Sequence, residues 1–137
     1  MDDCIFCKIV KKEIPADIIY EDDDFLAFLD INPVNPGHSL LIPKKHYQNL
    51  YYLPDNVLTG VASLIKKISI AAKQGMRADG VNIIMNAEAA AGQIVPHAHF
   101  HILPRFKNDG YKHWQGQSSS AEQMKEAAER IRENLER

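Results

Sequence analysis

Cysteine is scarce in this chain: of 137 residues only Cys4 and Cys7 are cysteine, and both fall in one C-x-x-C. In a reducing compartment such a pair points to metal binding or redox chemistry more than to a structural disulfide. Long apolar runs are missing too. None approaches the ~20 residues that span a bilayer, so no transmembrane helix and no membrane partner are expected. An excess of positive charge is also lacking, since 16 Lys+Arg against 18 Asp+Glu give −2 at pH 7. Nucleic acid is therefore not an expected partner, and the substrate must be recognised by a local site. The opening MDDCIFCKIV is acidic and has no basic stretch before an apolar one, so it does not read as a signal peptide and the cytoplasm is the default. With no internal repeat and no long linker, residues 1–137 read as one domain.

What is present has clear periodicity. Ile5 to Lys12 reads as a short helix, and Ile18–Glu21 and Phe25–Asp30 as strands joined by an Asp22-Asp23-Asp24 turn. The prolines and glycine of residues 32–37 form a loop, and His38–Pro43 is a third strand, apolar enough to be covered on both faces. Leu58, Val61, Leu64, Ile65, Ile68 and Ala72 recur at helical spacing after Pro54-Asp55, with Gly75 as the expected stop. Val81–Asn86 and His97–Leu103 are two more strands, the latter closed by Pro104, and a helix begins near Ser120 with Gln123 as its capping partner. The expected fold is α+β: a twisted, mainly antiparallel sheet of about five strands with one long helix, a short N-terminal helix and a C-terminal helix.

Three of the six histidines, His97, His99 and His101, alternate along one strand. Alternate side chains share a face, so three imidazoles line one surface while Ala98, Phe100 and Ile102 anchor the strand from behind. The outer two are ~13 Å apart along an ideal strand, too far for one metal ion to gather all three. Such a row suits an extended anion. A neutral imidazole can attack phosphorus, and its neighbour can donate to an oxygen or a leaving group. A lone His-x-His is often incidental; three in alternation after a Gly-Gln turn are not.

Gly92-Gln93-Ile94-Val95-Pro96-His97-Ala98-His99-Phe100-His101-Ile102-Leu103 resembles the signature of the histidine-triad (HIT) family. Phe28-Leu29-Asp30-Ile31-Asn32-Pro33, the block from Gly37 to His46, and Ile14-Pro15-Ala16 resemble the same family in the same order. The likeness runs from about Cys4 to Arg105 and is nearest the bacterial form of the Hint branch; residues 106–137 are an extension with a helix. The resemblance implies a HIT-like fold and a nucleotide hydrolase or transferase acting on purine nucleoside monophosphate derivatives. It makes His99 the nucleophile and His101 the residue that binds a phosphate oxygen and assists the leaving group, with His38 as an additional histidine beside them. Asp30 would accept from the ribose hydroxyls, and Phe28, Leu29, Ile31 and Ile14 would form the base slot. Asn86 and Gln93 would contact phosphate or ribose.

Plainer roles stand beside these. His38 can be a satisfied histidine at a strand start, the apolar four can be core, and Asn86 and Gln93 can be turn residues. The resemblance also implies a structural zinc on Cys4, Cys7, His46 and His97, against the rival of a redox dithiol, which lacks the usual βαβ surroundings. Ile94 stands where the Hint branch commonly has Ser, and Leu103-Pro104-Arg105 is more similar to the diadenosine-polyphosphate-hydrolase (Fhit) branch. Dinucleoside polyphosphate hydrolysis and nucleotide binding with vestigial activity are therefore the alternatives. The resemblance further implies a homodimer.

Overall fold

The computed structural model describes residues 3–135. In chain order they form helix α1 (Ile5–Val10), strands β1 (Ile18–Glu21), β2 (Phe25–Leu29) and β3 (Ser39–Pro43), the long helix α2 (Asp55–Met76), strands β4 (Gly80–Ile84) and β5 (Phe100–Arg105), and helix α3 (Ala121–Leu135). The five strands make one sheet in the order β1-β2-β3-β5-β4, antiparallel throughout. Short connections dictate this for the first three strands, because a hairpin can only reverse the chain. The first turn is held by Asp22, whose Oδ1 accepts from the amides of Asp24 and Phe25 at 2.8 and 2.7 Å.

The central strands are apolar at all positions but Ser39, His101 and Arg105, because both of their faces are covered. Ala27, Leu41, Phe100 and Ile102 pack toward α2 through its Val61 and Ile68. Leu26, Phe28, Leu40 and Ile42 pack toward α1 through Phe6 and Ile9. The β3–β5 register sets Leu40 beside His101, so the odd-numbered histidine of β5 stands on the α1 face. Gly37 turns the chain into β3 at φ +88°, and a Cβ there would meet Met76 Cγ at 2.6 Å. That close approach delivers His38 to the start of β3. Among the described residues no helix is long and apolar enough to cross a membrane.

Several boundaries depart from the periodicity. The fifth strand begins at Phe100, not His97, because the Ala98 amide donates to the Tyr47 carbonyl at 2.7 Å and draws residues 97–99 off the β3 register. It also runs past Pro104, which pairs with Val81 of β4. The β3 ladder has ended at Ile102, so the missing proline N–H breaks no bond there. Gly75 lies inside α2 and does not stop it. The cap is Arg77 in the left-handed region (φ 53°), with its own amide and that of Ala78 closing on Gln74 and Lys73. At α3 the expected box is present: Ser120 Oγ accepts from the Gln123 amide, and Gln123 Oε1 accepts from the Ser120 amide.

Candidate active site

Cys4 caps α1, accepting the Cys7 amide at 3.4 Å, so the C-x-x-C presents both sulfurs from one helical turn. His46 follows β3 and His97 precedes β5. Together Cys4, Cys7, His46 and His97 bring four ligand atoms within 4.8 Å of one another. Cys4 Sγ and Cys7 Sγ each lie 3.5 Å from His97 Nδ1, and Cys7 Sγ lies 3.3 Å from His46 Nδ1. A tetrahedral ion with bonds of ~2.0–2.3 Å has donor–donor edges of about 3.3–3.8 Å, so the spacing fits. The tautomer fits as well. His97 Nε2–H donates to the Pro43 carbonyl at 2.8 Å, which leaves the Nδ1 lone pair for the metal. Burial pushes the Cys7 thiol up to about 11, as expected of a sulfur that ionises only when a cation is there.

His99 is oriented by the same residue. Its Nδ1 lies 2.8 Å from the His97 carbonyl, and a carbonyl can only accept. Nδ1 therefore carries the proton, and Nε2 presents a lone pair. The proton placement on His101 is set one loop away. The Val34 amide donates to His38 Nδ1 at 3.1 Å, so the neutral His38 ring carries its proton on Nε2. That nitrogen is 2.9 Å from His101 Nδ1 and 3.6 Å from Asp30 Oδ2. His38 donates, His101 Nδ1 accepts, and His101 Nε2 is left as an N–H donor. The two rings thus differ in role: a base on His99 and a donor on His101, their centroids 5.0 Å apart.

Asp30, His38 and His101 also form a cluster of metal-type donors. The Val34 amide argues for the hydrogen-bonded relay instead, since a metal on Nε2 would leave His38 unprotonated at both nitrogens. His38, His97, His99 and His101 are all held below the ordinary imidazole range. Burial lowers His38, although Asp30 opposes it, and lowers His99, although the His97 carbonyl opposes it. Burial and the neighbouring His99 and His38 push His101 down to about 4. Burial likewise brings His97 to about 4.

His99 and His101 line a cleft of about 580 Å³ with Phe28, Leu29, Asp30, Ile31, Ile14 and Asn86. Phe28, Leu29, Asp30 and Ile31 reach one cleft together because the strand ends at Leu29 and the chain turns. Asp30 Oδ1 accepts the Asn32 amide at 2.8 Å and so caps that turn. Phe28 is buried core and cleft wall at once, while Ile31 is 89% exposed at the rim.

The imidazole row is not the open surface that the alternation predicts. His97 is fully buried and His99 is 6% exposed, because α1 lies over them. Gln93 does not line the cleft. Its amide is tied to backbone, accepting from Glu88 and donating to Gln48 and Val95, which is the turn role. Two groups were not read from the sequence. Phe6 sets its ring edge-to-face against His97 at 5.9 Å, His99 at 5.2 Å and Phe28 at 5.5 Å. Its spacing from Ile9 marks one face of α1 and was the available signal. The Val34 amide has no sequence signal at all.

A family profile for the HIT domain matches residues 11–108. An uncharacterized HIT-like protein of Borreliella burgdorferi is 46% identical over 139 residues, covering 98% of this chain and 100% of its own. Adenylylsulfatase HINT3 of Arabidopsis thaliana is 44% identical over 79% of this chain and 55% of its own, and adenosine 5'-monophosphoramidase HNT1 of Saccharomyces cerevisiae 42% identical over 74% and 62%. A crystal structure from Streptococcus mutans superposes with a TM-score of 0.92 at 41% identity, covering 98% of this chain and 87% of that one. A Zn-bound histidine triad family protein from Mycobacterium smegmatis superposes with a TM-score of 0.77 at 41% identity, covering 85% of each chain. By the profile match, by identity along its whole length and by its superposition on solved members, this chain belongs to the HIT domain family.

Proposed function

We propose that this protein is a nucleotide hydrolase or transferase that cleaves the bond to the α-phosphate of purine nucleoside monophosphate derivatives, phosphoramidates and adenylates among them. The observation that carries this reading is the His97 carbonyl on His99 Nδ1, which aims an unprotonated Nε2 into a cleft shared with Asp30 and a donor-bearing His101. His99 Nε2 attacks phosphorus, the bond from phosphorus to the leaving group breaks, and the leaving atom takes the proton of His101 Nε2. His38 keeps its proton and stays hydrogen-bonded through Nε2–H to His101 Nδ1, steadying that ring until its own proton is returned. Water then attacks the nucleotidyl-His99 and returns a proton to His101, and the phosphorus–nitrogen bond breaks to release the monophosphate. The His97 carbonyl steadies the cationic ring while the phosphoryl group is attached. Asp30 receives the ribose hydroxyls, Asn86 approaches the phosphate or ribose, and the apolar wall takes the base.

The adenylylsulfatase and monophosphoramidase named among the relatives support this substrate class. Leu103-Pro104-Arg105 does not favour dinucleoside polyphosphates, because Arg105 is bonded to Asp109 and lines a separate hollow. A zinc ion on Cys4, Cys7, His46 and His97 is our reading of the metal cluster, supported by the donor set and by the Zn-bound neighbour. With four protein ligands such an ion supplies a cross-link and no open position for water. The protein acts in the cytoplasm as a homodimer in this reading. The deciding experiment is turnover of an adenosine phosphoramidate by the native chain and by His99→Ala. The variant is expected to lose at least ~10⁴-fold in kcat while still binding AMP, by analogy with other removed nucleophiles. Undiminished turnover by His99→Ala refutes the mechanism.

A further inference from the structure

Helix α1 has two jobs that share one body. Cys4 and Cys7 face the donor cluster, while Ile5, Phe6 and Ile9 form part of the cleft wall. His97 joins the same two regions from the other side. Its Nδ1 faces both sulfurs at 3.5 Å, and its carbonyl holds His99 Nδ1 at 2.8 Å. Phe6, between the two cysteines, touches the rings of His97 and His99 with its edge. The α1 helix is only six residues long and is tied to the sheet by these groups. A helix that short is not stable by itself, so what fixes it must come from its contacts.

We infer that the donor cluster governs nucleotide binding at a distance: a metal on Cys4, Cys7, His46 and His97 positions both the α1 wall of the cleft and the ring of His99, without touching the nucleotide. Cys4, Cys7 and His46 are then positioning residues for the reaction. The inference rests on the proposed function for the identity of the ligand, but not for the coupling itself. Losing the metal frees two points at once. α1 loses its attachment at Cys4 and Cys7, and the His97 ring keeps only its hydrogen bond to the Pro43 carbonyl, so the His99 anchor is held at one point fewer.

The test compares zinc-loaded protein with protein stripped by a chelator and then reloaded. Three quantities are read: AMP affinity by calorimetry, the ¹⁵N pattern of the His99 ring by NMR, and the sheet by far-UV circular dichroism. Stripping is expected to weaken AMP binding by roughly tenfold or more, as loss of an orienting partner does. It is also expected to change the His99 nitrogen pattern while the sheet persists, and zinc should restore both. Equal AMP affinity and an unchanged His99 pattern in stripped, folded protein overturn the inference. If stripping unfolds the chain, His46→Ala decides, since it removes one metal donor that does not line the cleft. A folded variant with weakened AMP binding and an altered His99 pattern supports the coupling, and one with native AMP affinity and a native His99 pattern overturns it. Loaded protein that fails to bind AMP instead sinks the functional reading, and the His99 pattern alone then decides the coupling.

Discussion

Single groups set the chemistry. Asp30 is half-buried in the cleft, with one oxygen capping its own turn and the other near His38. Asp30→Asn exchanges a charged acceptor for an amide, and kcat/KM on a ribonucleotide substrate should fall roughly 10- to 100-fold, the worth of a charge-assisted bond. The same substitution should cost a 2′-deoxy substrate less, and paired kinetics on the two sugars check it. The pH dependence follows from burial. His99 lies below its ordinary 6.5 and His101 near 4, so His99 Nε2 keeps its lone pair through mildly acidic conditions. The acid limb of kcat/KM should fall below pH 6.5, and a limb centred above 7 contradicts it. Stability has the same sign. His101 takes its proton at about 4 in the folded chain and near 6.5 when unfolded, so the unfolded state binds more protons between these values. The folded chain should therefore lose stability as pH drops from 6.5 to 4, as denaturant midpoints across that range will read.

Elements carry those groups to their places, and here the sequence was most legible where periods were strong. The α2 stripe of Leu58, Val61, Leu64, Ile65 and Ile68, the β3 run and the Ser120–Gln123 box all appear as read. Boundaries set by long-range contacts were not legible. The start of β5 depends on the Tyr47 carbonyl, and the end of α2 on hydrogen bonds closing over Arg77. Arg77 sits where glycine is the usual choice, at φ 53°. Arg77→Gly should stabilise the chain by ~0.5–1 kcal/mol, seen as a higher thermal midpoint, because glycine enters that region without a Cβ clash. An unchanged or lower midpoint would mean that the arginine side chain contributes more than its backbone costs. At the site, the triad, Asp30 and the Cys4/Cys7 pair could be read from spacing and resemblance. The covering of His99 could not, since it arises only when α1 packs over the sheet.

At the scale of the whole molecule the sheet has two open edges, β1 and β4. In the order β1-β2-β3-β5-β4, β4 is an edge strand, and its Ile83 is 43% exposed. A bare edge is a template for pairing with another chain. The homodimer we propose predicts a light-scattering mass of about twice the 15.5 kDa of one chain, and a mass of one chain would refute it. Helix α3 buries no side chain within the described residues, so it contributes little to the fold of a single copy.

The Val34 amide has a consequence that reaches past its own loop. Two imidazoles beyond it inherit their proton placement in series, first His38 and then His101. A proline at position 34 would delete one hydrogen from the backbone and alter no charge, metal donor or cleft wall. His38 would then be free to exchange tautomers, and the ring that serves the departing group would present a proton only part of the time. The direction of a whole relay is thus written in the peptide bond of a residue whose side chain takes no part in it.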